Sequence, residues 1–568
     1  MLACVLCSCV NINEGDGSAS TSSTISTGAT ETVRDDIQSA IDSTVTSPDI
    51  DSATTVEPAD SGVTTITSGG TYIFDETVKE GRIIVNAPKQ DVTLVLAGAD
   101  ITCSYGSPIY VYKAATVTIY LKEGTVNTLT DGSTYTYADE YSSAGNEEPN
   151  ACLYSKADMI IAGAGTLIVN ANNNNGITSK DTLKIEGATV SVTAKNHGIN
   201  GKDYLIVKDA DITVTSGGDA LRSTNDSDEA LGYVAIEKSV LDITSGEDGI
   251  QAETVLTVSG GTATIKSGGG SNGSVSSDTS AKGLKAGKSV VLISGAYNID
   301  SCDDAIHSNG NVTVSGGTFA IKTGDDGIHA DENVSITGGE IVISKSYEGV
   351  EGETIDISGG VISIVASDDG MNAAGGRDGS GFFGRPDTFG GSSDSYINIS
   401  GGRITINSSG DGIDSNGSLT VSGGEVYVCG PTSSGDGALD YDGTATITGG
   451  IFVAVGSSGM AQNFGTNSTQ GSILLNYQSS STSEVVLKDS SGNIILSFTP
   501  EKSYNSVVIS CPSLEKGGKY TVTACGQTTE ITLTSLIYGG SSGMGGGGFP
   551  GGNPGGGFPG GGGRPGGR

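Results

Sequence analysis

The chain has 568 residues, with 90 Gly, no Trp, and 65 acidic against 29 basic side chains, for a formal net charge of −36. That length exceeds what one compact core supports, whereas a repeat array can grow without limit. So acidic a surface excludes nucleic acid as a partner and repels anionic membranes, leaving an acidic polymer to be held through bridging cations or a local basic patch.

The first nine residues, MLACVLCSC, contain an apolar run far too short to span a bilayer. They resemble the end of a bacterial lipoprotein signal, with Leu6-Cys7-Ser8-Cys9 as an approximate lipobox and Cys9 as the lipidated residue. On that reading the protein is extracellular or at the cell surface, and its membrane attachment is a lipid anchor at Cys9. Residues 10–61, rich in Ser, Thr, Asp and Gly, read as a flexible tether. Residues 62–150 read as an N-terminal cap with irregular first coils, with strands predicted at 71–74, 82–85, 93–96, 109–112 and 116–121.

From 151 to 471 a short phrase recurs, consisting of a turn residue, a small residue and an aliphatic, then a strand and Ser/Thr-Gly-Gly. Ala305, Gly327 and Gly349 are each 22 residues apart. A fixed period of this size means a solenoid. In the unit 311–329, Val312 and Val314 alternate with polar residues, as do Phe319 and Ile321; that is the period of a strand. Ser315-Gly316-Gly317 turns the chain between them, and Gly327-Ile328 opens a third short strand. Three short strands per coil, with no helical periodicity, predict an all-β fold, a parallel β-helix solenoid with coils of about 22 residues. A right-handed winding is expected from the general preference of parallel crossovers. Residues 375–394 are a Gly-rich insertion, 472–537 a small C-terminal β module, and 538–568 a Gly/Pro/Phe tail unable to bury a core. No cysteine spacing matches a zinc or iron–sulfur site, and Cys511 and Cys525, in neighbouring predicted strands, could form a disulfide after export.

Any residue kept at one phase of a solenoid is stacked into a column. The residue before the small one is Asn175, His197, Asp219, Asp248, Lys282, Asp304, Asp326, Glu348, Asp369, Asp411 and Asp436 in turn. A second acid often precedes it, as at Asp303, Asp325 and Asp368. Two residues beyond the small one come Asn200, Arg222, Gln251, Lys285, His307, His329, Glu351, Asn372 and Asp414. Rungs about 4.8 Å apart and calcium–oxygen bonds of about 2.3–2.6 Å let Ca²⁺ sit between stacked carboxylates, which would otherwise repel one another. Asp303, Asp304, Asp325, Asp326, Glu348, Glu351, Asp368 and Asp369 are the metal candidates, although Asp-Gly is equally a common turn pair. Arg222, Lys285, His307 and His329 are candidates for contact with a sugar, and could as well only be solvated or satisfy the neighbouring acids.

The stretches 148–158, 175–181, 201–203 and 221–226, with the FGRP-containing insertion, resemble the bacterial carbohydrate-binding β-helix proteins first described from a cellulolytic clostridium. The resemblance covers about residues 62–535 and implies a calcium-binding, pectate-lyase-like solenoid that binds plant cell-wall polysaccharide such as cellulose and polygalacturonate. Asn175 and His197 depart from the acidic pattern in the early coils. Two alternatives stand beside a surface-held binder. One is a polysaccharide lyase acting on uronates, for which Lys285 is the one tempting base; the other is a structural adhesin without sugar specificity.

Overall fold

The computed structural model describes residues 34–57, 61–374 and 394–540. The lipobox with Cys9, nearly all of the 375–394 insertion and the tail from 541 onward lie outside the described residues.

Each coil contributes one strand to each of three parallel sheets. The first is built from short strands such as Leu221–Ser223, Ile250–Ala252, Leu284–Ala286 and Ile306–Ser308, paired in parallel and in register. In the second, Leu256, Val290, Val312, Val334 and Ile355 are successive partners. The third stacks Tyr297, Phe319, Ile341 and Ile362. These residues point inward and are buried in one apolar core running the length of the solenoid. The alternation read from 311–321 is thus the alternation of core and solvent.

The small residue of the repeat answers to crowding. A Cβ at Gly327 would lie 2.5 Å from the Gly349 carbonyl oxygen and 2.6 Å from Ile343 Cδ1. Gly317, with φ at 100°, is a different case: it occupies the left-handed region where the chain turns toward the third sheet. In two coils that turn is drawn into continuous strands of 13 residues, Val255–Ser267 and Ser289–Ser301.

Two expectations need correction. The 10–61 tether is ordered in part, because Asp35–Asp42 is a helix. Ile37 and Ile41, one turn apart, are buried against Ile206, Tyr233 and Ala235 on the outside of the second sheet. Lys184 Nζ and Lys208 Nζ donate to the Ile41 carbonyl at 3.3 and 3.0 Å, placing positive charge at the negative end of the helix. Arg34 fastens the other end to the carbonyls of Glu229 and Ala230. The second correction concerns Cys511 and Cys525, which are both free thiols; Cys525 Sγ donates to the Tyr504 carbonyl instead.

Parallel stacking stops at Ile451–Gly456, which pairs antiparallel with Tyr504–Ser510. That strand pairs antiparallel again with Ser472–Ser481. Beside it Val485–Asp489, Ile494–Phe498, Lys519–Ala524 and Gln527–Thr532 form a four-stranded antiparallel sheet around Val485, Leu487 and Val522. No helix among the described residues is long and apolar enough to cross a membrane.

Candidate functional site

The residue before the small one sits where the chain enters the first sheet, and its side chain has a structural task. Asp219 Oδ1 accepts from the Asp248 N–H at 3.1 Å, and Asp248 Oδ1 from the Lys282 N–H at 2.8 Å. Asp304 Oδ1 accepts from Asp326 N–H and Asp326 Oδ1 from Glu348 N–H, at 3.0 and 3.1 Å. Asp369 Oδ1 takes the Asp411 N–H at 2.5 Å. One oxygen of each of these acids therefore secures the next coil, which is the turn role weighed against metal binding. The other oxygen is left for the outer face.

At Asp303 and Asp304 that outer charge is already met. Lys282 Nζ lies 2.9 Å from Asp303 Oδ1 and 2.6 Å from Asp304 Oδ2. Burial pushes the Asp304 carboxyl up, but Lys282 and the bond from His307 outweigh it and hold the group well below the usual carboxylate range. Asp325 has a carboxylate oxygen in the same cluster. An ammonium thus occupies one end of the acidic stretch from which the metal candidates are drawn. Lys282 stands in the column as read, but its partnership with two acids of the next coil is visible only in three dimensions.

The candidate sugar contacts are engaged as well. His307 Nδ1 is 2.8 Å from Asp304 Oδ2, and its Nε2 is 2.9 Å from Asn309 Oδ1. His329 Nδ1 is 2.6 Å from Glu351 Oε2 and its Nε2 is 3.2 Å from Asp331 Oδ1. Burial lowers the His329 pKa, yet its bonds to Asp326, Asp331 and Glu351 prevail and raise it well above the usual value. Arg222 Nη1 is 3.2 Å from Asp219 Oδ2. Lys285 Nζ is 3.2 Å from Asp248 Oδ2 and donates to Ser280 Oγ at 2.9 Å. The plainer role, satisfying neighbouring acids, accounts for all four.

Further along, the balance changes. Carboxylate oxygens of Asp369, Asp411 and Asp414 lie within 4.8 Å of one another. Among the described residues no cationic side chain pairs with Asp369 or Asp411. Burial, reinforced by Asp411, Asp368 and Asp414, pushes Asp369 up to about 9. Burial, with Asp414, Asp440 and Asp436 outweighing the Gly437 N–H, pushes Asp411 up to about 8. Asp368 adjoins this group: a Cβ at Gly410 would collide with Oδ1 of both Asp368 and Asp369. One coil earlier Glu348 is buried and raised well above its usual range by burial, Asp326, Glu351 and Asp369. Glu348 Oε2 and Asn372 Oδ1 are buried without a hydrogen-bond partner, whereas Asp326 Oδ2 faces His329 Nδ1 at 3.4 Å. An all-oxygen donor set with surplus negative charge suits a hard divalent cation such as Ca²⁺. Asp411 and Asp414 were not among the metal candidates, although they continue the two columns.

The outward column of the first sheet also reaches further back than Asn200. Register pairing continues it through Thr178 and Tyr154 to Tyr110. The phrase Asn175-Gly176-Ile177-Thr178 carried that signal.

Residues 60–327 match the model of a family described as carbohydrate-binding domain-containing protein. A protein of that description from Acetivibrio thermocellus is 42% identical over 130 residues, which are 23% of this chain and 44% of the relative. The chain thus spans less than half the length of that relative. A solved structure, the gadolinium derivative of the polysaccharide lyase-like protein from C. thermocellum, is 33% identical and covers 36% of this chain and 82% of its own, with a TM-score of 0.34. Over residues 60–327, therefore, this chain is similar to the family of carbohydrate-binding domain-containing proteins.

Proposed function

We propose that the protein is a calcium-dependent carbohydrate-binding protein of the cell surface, attached through Cys9, that recognises plant cell-wall or acidic polysaccharide such as cellulose and polygalacturonate. The observation that carries the calcium dependence is the cluster of Asp369, Asp411 and Asp414, of which buried Asp369 and half-buried Asp411 lack any cationic partner among the described residues. Asp368 and Glu348 flank it and supply further oxygens. Ca²⁺ bound there would neutralise these carboxylates and offer open positions to a uronate. The chain's own part is to hold the oxygens at rung spacing, with the Asp369 and Asp411 backbone ladder fixing one oxygen of each. Asp303 and Asp304 take no part, since the Lys282 ammonium already meets both. Lys285, tied to Asp248 and Ser280, offers no free base, which favours a binder over a uronate lyase. The test is capture of glycans by the full chain with and without chelator, scored also for unsaturated uronate product. Capture that is lost on chelation, with no product, supports the proposal; product formation supports the lyase.

A further inference from the structure

The first rung of the first sheet is Ser61–Ile66. It pairs in parallel with Glu80–Asn86 on one side, and no described strand pairs with its other side. The other two sheets begin differently. Gly70–Phe74 opens the second and is met by Thr54–Thr55, and the third opens on Thr77–Val78, a strand of 2 residues. An unpaired row of N–H and C=O groups is a template for another strand, and edges are commonly blunted by Lys, Pro or a bulge. Ser61–Ile66 has none of these. Residues 61–74 include no charged side chain and no Pro, in a chain of net charge −36. The pairing with residues 80–85 runs without a register shift. Thr64 and Ile66 lie opposite Ile83 and Val85, which fill the core, so Val63 and Thr65 face solvent. Val63 is 42% exposed.

The chain that precedes this rung is carried away from it. Thr54–Thr55 pairs with Tyr72–Ile73, Tyr120 Oη donates to Ser47 Oγ at 3.4 Å, and Arg34 reaches the carbonyls of Glu229 and Ala230. Residues 34–55 thus run along the flank of the second sheet, and the described chain begins several rungs from Ser61–Ile66.

We infer that two copies of this chain associate head to head through Ser61–Ile66, the two strands pairing antiparallel about a twofold axis perpendicular to the first sheet. Such an axis makes the strand its own partner and reverses its direction, as antiparallel pairing requires. It also keeps both cores on one face of the joined sheet. The Gly62 carbonyl already accepts from Tyr105 Oη at 3.3 Å, which places the centre of the pairing further along, at Thr64. Val63 of each copy then stands opposite Thr65 of the other, a cross-strand pair of β-branched side chains. Over most of the surface the net charge makes two copies repel, and this uncharged edge is where the repulsion is least. A twofold contact uses the edge completely, so association stops at two copies.

The test is sedimentation equilibrium of the full chain at rising concentration, with Tm recorded for each variant. The wild type is expected to pass from the mass of one chain to twice that mass. Val63→Lys combined with Thr65→Lys sets like charges opposite one another across the axis. This variant is expected to keep the mass of one chain throughout, with the Tm of dilute wild type. Val63→Glu combined with Thr65→Lys sets opposite charges there instead, and is expected to restore the doubled mass and to lose it in high salt. A wild type of single mass at every concentration would overturn the pairing, as would a doubled mass that survives the two lysines, or masses beyond two chains. Loss of the doubled mass in both double variants alike would overturn the antiparallel register. A doubling seen only after removal of residues 1–33 would mean that the chain's own upstream segment covers the edge, and would overturn the pairing of full-length copies.

Discussion

The imidazole rings of His307 and His329 lie one above the other, 4.9 Å between centroids and 9° from coplanar, although they belong to successive coils. Each ring is pinned by acids, so the stack is part of a charge network that ties three rungs together. His329 holds its proton more tightly folded than unfolded. Its contribution to stability is therefore complete below its ordinary value of 6.5 and is lost as the pH rises through the elevated folded value. The expected outcome is an imidazolium at His329 that persists at neutral pH, read from its ring-carbon NMR shift. An ordinary titration midpoint near 6.5 would contradict the network.

Removal of calcium should make stability fall with pH. Asp369 and Asp411 bind protons more tightly folded than unfolded, with values of about 9 and about 8 against an ordinary 3.8. The stability they allow is whole below the ordinary value and is lost as pH climbs through the folded values. Scanning calorimetry of chelated protein should show Tm declining across that window. Saturating Ca²⁺ should abolish the decline, and Asp411→Asn should flatten it in chelated protein.

Lys282→Met should be severely destabilising. It leaves Asp304, fully buried, and Asp303 without their ammonium. Breaking a buried pair by removing one partner costs about 3–5 kcal/mol, measurable by urea unfolding. A double change that also converts Asp304 to Asn should recover part of the loss.

Gly327→Val should cost about 2–3 kcal/mol through overpacking. The added atoms meet the Gly349 carbonyl and the Ile343 side chain, both fixed by the stack. The same substitution at Gly492, where a Cβ meets nothing within 4 Å, removes that crowding but incurs the strain of φ at 88°. Comparing the two unfolding curves separates crowding from backbone strain.

Ile37→Ala should release the Asp35–Asp42 helix from the flank of the solenoid. Truncating a buried Ile costs about 2–5 kcal/mol, and the helix has little else besides Ile41 and its terminal lysine and arginine contacts. Faster amide exchange confined to residues 35–42, with the coils still protected, is the expected signature.

The solenoid was legible because its cause is local. Val312, Val314, Phe319 and Ile321 alternate within one unit, and the spacing of Ala305, Gly327 and Gly349 repeats it. The carboxylate columns were legible for the same reason. What each column member touches was not. Lys282 reads as a gap in an acidic series, and only the fold brings its ammonium to two acids of the next coil. The Asp35–Asp42 helix escaped because two isoleucines in a polar stretch are too weak a pattern without the surface that receives them. Asp411 and Asp414 escaped because they lie past the densest run of acids, and only the fold shows that Asp369 and Asp411 have no cationic side chain paired with them among the described residues.

The reversal of strand direction at Tyr504–Ser510 has a consequence for assembly. A stack of parallel rungs is a template that could accept another copy end to end, and copies so joined would elongate into a fibre. Here the last rung of the third sheet is covered by a strand of opposite polarity, Tyr504–Ser510, which is covered in turn by Ser472–Ser481, so strands outside the repeat stand between the last coil and a further copy. A second copy meeting this end of the third sheet would find those covering strands in place of the last coil's own edge.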